Sequence, residues 1–313
     1  MNPLQIEIDG VLEDKSYDII LAVLRSRGIT RAQLANQCGV SAATAGKIVS
    51  ALLCAGHAIA ESDLNGRAEI IKPAESLRVL VVKLSRRKLN VFLCDMSEEI
   101  IFSCSKKAND SLPIEQEIIR LILSSQNELE KYISVRPVTV ILCEDGAAKP
   151  DIGAISAAIP SFSADIILRS RDCTERYINR VYPNDTTLFV NTDEALDIRL
   201  FSEGRTLRSN HSTPPRLEQT DERFVISHLA RTLSSLFNIT LPERIIIESE
   251  DIPFDRRALD MLREEIREST PLSRGRIPEI ITNTASALDV KEAVDTVRKR
   301  LADIRVGSTD GWQ

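Results

Sequence analysis

Aromatic side chains make up only 4% of this 313-residue chain, so its cores must be assembled from Leu, Ile, Val and Ala. Cysteine pairs at metal-ligand spacing are missing. The six cysteines (Cys38, Cys54, Cys94, Cys104, Cys143, Cys173) are scattered, with no CxxC among them. The three histidines, His57, His211 and His228, do not accompany a cysteine pair, which argues against a structural zinc site. Reduced, buried thiols are the expectation. No apolar run reaches the roughly 20 residues that a membrane-crossing helix needs. The acidic N-terminus, MNPLQIEIDGVLEDK, lacks the apolar stretch of a secretory signal, so a cytoplasmic protein without membrane partners is expected. Net positive charge is absent too. A formal charge of −6 excludes a protein that coats nucleic acid indiscriminately.

One local absence points the other way. Between Ile19 and Ala60 there is no Asp or Glu, while Arg25, Arg27, Arg31 and Lys47 are all present. Phosphate attraction acts within a Debye length of about 8 Å. A local positive face therefore works despite the acidic total.

That stretch contains the most telling pattern in the chain, TRAQLANQCGVSAATAGKIVSALLCAGH at residues 30–57. Thr30 is a good N-cap for a short helix, and Gly39 tolerates the positive φ that ends one. Ser41 caps a second helix running to about Cys54. Ala35 and Ala45 are short where two steeply crossing helices come closest. Together these features predict a helix-turn-helix. The second helix offers Ser41, Ala42, Ala43, Thr44, Gly46 and Lys47 as a small-residue face that fits a major groove, with Arg31 nearby. Downstream, two short strands flank Asn65-Gly66, a strong hairpin signal. This reads as a wing, with Asn65 and Arg67 at its tip as candidate minor-groove or phosphate contacts. An amphipathic helix at 16–27 braces the pair, and 72–76 (KPAES) reads as a linker.

Beyond it the period changes. Strands are expected at 77–84, 88–96 and 99–105, then a long amphipathic helix at 113–132 and a buried strand at 137–143. A helix (152–158), a strand (164–168) and a helix (173–181) follow. The pattern then repeats: strands at 186–191, 195–202 and 205–208, a helix at 222–237, a strand at 244–248, a helix at 255–269, a strand at 279–283 and a closing helix at 290–303. The implied body is a duplicated α/β architecture with a cleft between halves.

This layout resembles the ROK family of repressors, uncharacterised reading frames and sugar kinases. ITRAQLANQCGVSAATAGKIVSALLCAGHAIAE and NGRAEIIKP fall where family regulators carry their helix-turn-helix and wing. RVLVVKLSRRKLNVFLCDMSEEII is similar to the family's opening hairpin. LFVNTDEALDIRLFSEGRTLRS resembles the hairpin that opens the second half, and SSLFNITLPERIIIESEDIPFD the segment leading to the nucleotide pocket. The resemblance implies an α/β fold: a winged helix-turn-helix at 1–74, then a duplicated actin-like ATPase (ribonuclease H-like) domain of the sugar-kinase type at 75–313. Its halves are about 75–184 and 185–313, and the protein is expected to be dimeric.

The departures from the family pattern discriminate between kinase and regulator. Where family kinases carry Asp-x-Gly-Gly-Thr, this chain has Lys83, Leu84, Ser85, Arg86 and Arg87. A carboxylate becomes an ammonium, and glycines that admit phosphate become side chains. The second glycine-rich turn is Thr192, Asp193, Glu194 and Ala195; the later Gly-Gly is Glu248, Ser249 and Glu250. The family's zinc loop is replaced by a cysteine-free segment containing His211, which is retained as a candidate ligand contact. Asp172 lies near the family's catalytic base and is the one candidate remnant. A base without a phosphate cradle transfers no phosphoryl group, so otherwise Asp172 caps a helix or pairs with a cation. The run at 248–251 reads as a solvated acidic loop.

Three functional readings stay open. The first is a transcriptional regulator, most simply a repressor, that binds operator DNA as a homodimer or higher homo-oligomer. It needs no cofactor and no metal, and it leaves room for a small-molecule effector of unread identity. The second is a divergent sugar kinase, and the third a scaffold whose N-terminal module binds protein instead of DNA.

Overall fold

The computed structural model describes residues 13–62, 68–84, 88–108, 112–143, 149–162, 164–192, 197–208, 222–249, 254–269, 278–284 and 287–303. The chain divides into two compact units. One comprises residues 1–170 together with 290–313, and the other residues 171–289.

The first unit opens with helix α1 (Glu13–Arg25), whose residues from Ile19 to Leu24 are all buried. A two-residue strand, β1 (Ile29–Thr30), follows. Gly28 makes it possible. At φ 148° it sits in a region few side chains adopt, and an added Cβ would fall 2.7 Å from Ile70. Helix α2 (Arg31–Cys38) starts with a reciprocal capping box: the Gln33 amide donates to Thr30 Oγ1, and the Thr30 amide donates to Gln33 Oε1. Gly39 at φ 64° ends it, as expected. Helix α3 (Ala42–Cys54) is capped by Ser41 Oγ, which accepts from the Thr44 amide at 3.1 Å. The two helices bend 116° relative to each other, within the range typical of helix-turn-helix pairs. Ala45, Ile48 and Val49 are fully buried beneath them.

Strands β2 (Ala58–Ser62) and β3 (Glu69–Pro73) complete a small antiparallel sheet of order β1-β3-β2. The expected turn at Asn65-Gly66 lies outside the described residues. So does Arg67.

The rest of this unit is a five-stranded sheet. Strands β4 (Arg78–Leu84), β5 (Lys88–Asp95) and β6 (Ile100–Lys107) form an antiparallel meander. Helix α4 (Ile114–Leu129) leads to β7 (Val138–Cys143), which is parallel to β4. Helix α5 (Ile152–Ala158), a 3-10 turn at Pro160–Phe162 and strand β8 (Ala164–Arg169) follow. The sheet order is β6-β5-β4-β7-β8. Ile118, Leu121, Ile122 and Leu129 of α4 pack on Leu80, Val82, Val91 and Ile141 of the sheet. Each such side chain contributes about 1.5–3 kcal/mol on burial.

The second unit contains most of helix α6 (Ser170–Val181), then β9 (Thr187–Asn191), β10 (Asp197–Ser202) and β11 (Arg205–Arg208). Helix α7 (Glu222–Thr240), strand β12 (Arg244–Ser249), helix α8 (Arg256–Ser269) and strand β13 (Glu279–Thr284) complete it. Its sheet order, β11-β10-β9-β12-β13, matches the first sheet strand for strand. Both faces are covered. Leu188, Val190, Ile245 and Ile247 pack against α7 and α8, while Phe189 and Ile246 on the other face meet Tyr177 and Ile178 of α6. This is why PVTVILC and RIIIE read as continuous apolar runs.

Helix α9 (Ala287–Asp303) begins three residues before the sequence-based start, and from Val290 it belongs to the first unit. Several of its polar residues are buried: Asp289, Glu292, Asp295 and Arg298. Asp295 is completely buried, and the Arg25 guanidinium donates to both its oxygens, at 2.9 and 3.0 Å. Arg298, also buried, donates to the Met96 carbonyl at 2.7 Å and to Glu98 at 2.6 Å. Lys299 reaches Asp295 at 2.9 Å. The helix thereby joins α1 to the β5–β6 turn.

Removing one partner from such a network leaves buried charge uncompensated. Asp295→Ala should destabilise the chain by about 3–5 kcal/mol in urea unfolding, and Asp295→Asn by less; an unchanged midpoint in both would contradict the network's role. A second expectation concerns pH. His57 is buried, and burial lowers its pKa below the ordinary 6.5. The unfolded chain therefore binds a proton that the folded chain resists. Stability is complete above pH 6.5 and declines as pH falls below it, toward the folded-state pKa. Unfolding free energies measured across that window should flatten in His57→Gln, whereas an identical slope would contradict the assignment.

Candidate nucleic-acid interface

The start of α3 carries the exposed small-residue face. Ser41, Ala42 and Ala43 are exposed, as are Lys47 and Ser50. Thr44 is half-buried, its hydroxyl 2.9 Å from that of Ser41. Each of these is held by the cap and by the apolar underside of the helix, so the face is rigid. It bears one ammonium, Lys47, and no carboxylate.

Arg31 sits on the flank of this face. Its Nε donates to Glu69 of β3 at 2.8 Å, and its terminal nitrogen lies 3.4 Å from both the Gly46 carbonyl and Ser50 Oγ. The side chain thus ties α2, α3 and the small sheet together, with its charge shared with Glu69. Gly46 is half-buried under it, its absent Cβ 3.7 Å from the guanidinium. Arg25, counted among the local cations, is bound to Asp295. Arg27 stays exposed.

Asp172 is exposed in the first turn of α6, where a carboxylate complements the helix dipole. His228 is exposed on α7. Asn65, Arg67 and His211 lie outside the described residues.

The strand ends where the resemblance implies a phosphate cradle carry buried side chains. Lys83, at the end of β4, is buried, in register with Asn90 of β5 and Leu142 of β7. In the second unit the Thr192 amide donates to the Glu248 carbonyl at 3.1 Å, and both residues are buried. Glu248 and Ser249 complete β12 and are buried, which corrects the expectation of a solvated loop starting at 248. The pairing of β12 with both β9 and β13 draws Glu248 into the sheet. The thiols also differ from expectation. Cys94, Cys143 and Cys173 are buried, Cys38 and Cys104 half-buried, and Cys54 exposed. Burial and the neighbouring carboxylates of Asp95 and Glu98 push the Cys94 thiol up to about 12, so it is unreactive. Among the described residues no His, Cys, Asp or Glu group is arranged to hold a metal, and no single helix is long and apolar enough to cross a membrane.

A small module of three helices and a three-stranded sheet, followed by two five-stranded mixed sheets of like order with helices packed against them, makes this an α/β protein. Comparison with solved structures gives the particular likeness. A ROK-family transcriptional regulator, a homolog of the E. coli MLC protein, superposes with a TM-score of 0.58 at 12% identity, over 93% of this chain and 97% of that one. A ROK glucokinase from Streptomyces griseus, in complex with glucose and AMPPNP, gives 0.47 at 9% identity, over 73% and 99%. A ROK hexokinase from Thermus thermophilus gives 0.43 at 12%, over 70% and 97%. Of these three, the regulator's superposition is close enough to define a shared fold. No protein-family model and no curated protein matches the sequence.

Proposed function

We propose that this chain is a divergent ROK-family transcriptional regulator, most simply a repressor. In this reading, residues 1–74 form a winged helix-turn-helix that binds operator DNA. The observation that carries it is the capped, rigid start of α3, which exposes Ser41, Ala42, Ala43 and Lys47 without a carboxylate among them. Small side chains let the helix backbone approach a major groove, and Lys47 meets the phosphates. The likeness to a regulator over nearly the whole chain supports this reading.

The body then serves assembly and sensing, with no phosphoryl transfer. A triphosphate entering near β4, β9 or β12 would meet buried Lys83, Thr192 and Glu248 where family kinases place a carboxylate and glycines. Backbone amides there are screened by side chains, and Glu248 repels phosphate. Asp172 keeps a carboxylate without the cradle that would give it a reaction. A single module with one free lysine among the described residues of its α3 face binds weakly, so a homodimer with two modules on a palindromic site gains by effective concentration.

Gel-shift titration on DNA selected from a random pool tests this. Lys47→Ala should weaken binding and reduce the slope of log affinity against log salt by about 0.9 per lost phosphate contact. ATP should be neither bound nor hydrolysed. Absence of any selected sequence, or sugar-dependent ATP turnover, would overturn the proposal.

A further inference from the structure

The first unit contains a cavity of about 260 Å³ between the small sheet and the β5–β6 turn. One wall comes from the N-terminal module (Arg27, Ile59, Lys72) and the other from the first large sheet (Arg78, Asp95, Glu99), with the linker residues 73–75 between them.

Its charges fall into two groups. Some are already satisfied. Lys72 pairs with Glu61. Asp95 Oδ1 accepts from the Ser97 amide and hydroxyl and the Glu99 amide, at 2.8, 2.9 and 3.0 Å. The side chains of Arg27, Arg78, Glu75 and Glu99 are not: among the described residues they form no hydrogen bond or ion pair, with each other or with a third group. Arg78 is half-buried and its Nε is inaccessible to solvent without a partner. The terminal nitrogens of Arg78 stay open to the cavity, where water or a ligand can accept their hydrogen bonds.

The mixed signs specify what kind. A simple anion would be repelled by Glu75 and Glu99, and a simple cation by Arg27 and Arg78. A small molecule carrying both charges satisfies both pairs. We infer that this cavity is a binding site for a small zwitterion, an α-amino acid or close analogue, with its carboxylate on Arg78 and its ammonium toward Glu75 and Glu99. The site shares the β5–β6 turn with the α9 network, since Met96 and Glu98 of that turn hold Arg298. Occupancy therefore fastens the N-terminal module to the sheet behind it. That this alters operator affinity rests on the regulator reading; the binding itself does not.

The test is thermal unfolding of the full chain with each proteinogenic α-amino acid singly, at millimolar concentration and without DNA. The N-acetyl derivative and the decarboxylated amine of each serve as single-charge controls. At least one amino acid should raise the midpoint by mass action, and its two controls should not. The shift should vanish in Glu99→Gln, an exposed position that leaves the unliganded midpoint unchanged, and in Arg78→Gln. No shift with any amino acid, an equal shift with a single-charge control, or a shift that survives in both variants would overturn the site. Because no DNA is present, failure here is distinct from failure of operator binding.

Discussion

A carboxylate with no solvent exposure, Asp295, holds the first unit together across its longest sequence separation. Its oxygens take both arms of Arg25, and Lys299 and Arg298 neutralise the rest. Ion pairs of this kind add little net stability over a well-packed apolar cluster, because desolvation offsets much of the attraction. What they supply is geometry. Apolar surfaces slide at small cost, whereas a bidentate guanidinium accepts one arrangement. The last helix is thereby keyed to α1 and, through Arg298, to the β5–β6 turn.

That keying gives the N-terminal helices a defined support. The start of α3 is stiff for local reasons, namely its cap, the Gly39 turn and the alanines at the crossing. The position of that face is set as well, and Arg31 and Arg25 share that work. Arg31 binds α2 and α3 to the small sheet, and Arg25 binds α1 to α9. Arg31, a candidate DNA contact in the sequence, and Arg25, one of the cations of the carboxylate-free stretch, both act as structural ties.

Much of the fold was legible because its signals are local. Thr30 with Gln33, Gly39, and Ser41 with Thr44 act over three residues, and each was found in place. The repeated order of strands and helices was readable from period changes, and both sheets follow it. What stayed hidden depends on distance along the chain. Arg25 and Asp295 are 270 positions apart, and Asp295 with Arg298 has the spacing of an ordinary solvated helix pair. Strand β1 has two residues, too few to show a period. Glu248 closes the expected strand at 244–248 but also opens an acidic run that reads as solvated, yet the parallel neighbours of β12 bury it.

In the proposed function, the α/β body carries and positions a DNA-binding module. Genome-wide crosslinking of the tagged chain in its own cells tests it most directly. Enrichment at a small number of discrete sites sharing a palindromic sequence is the expected result. A profile indistinguishable from that of the untagged control would contradict it.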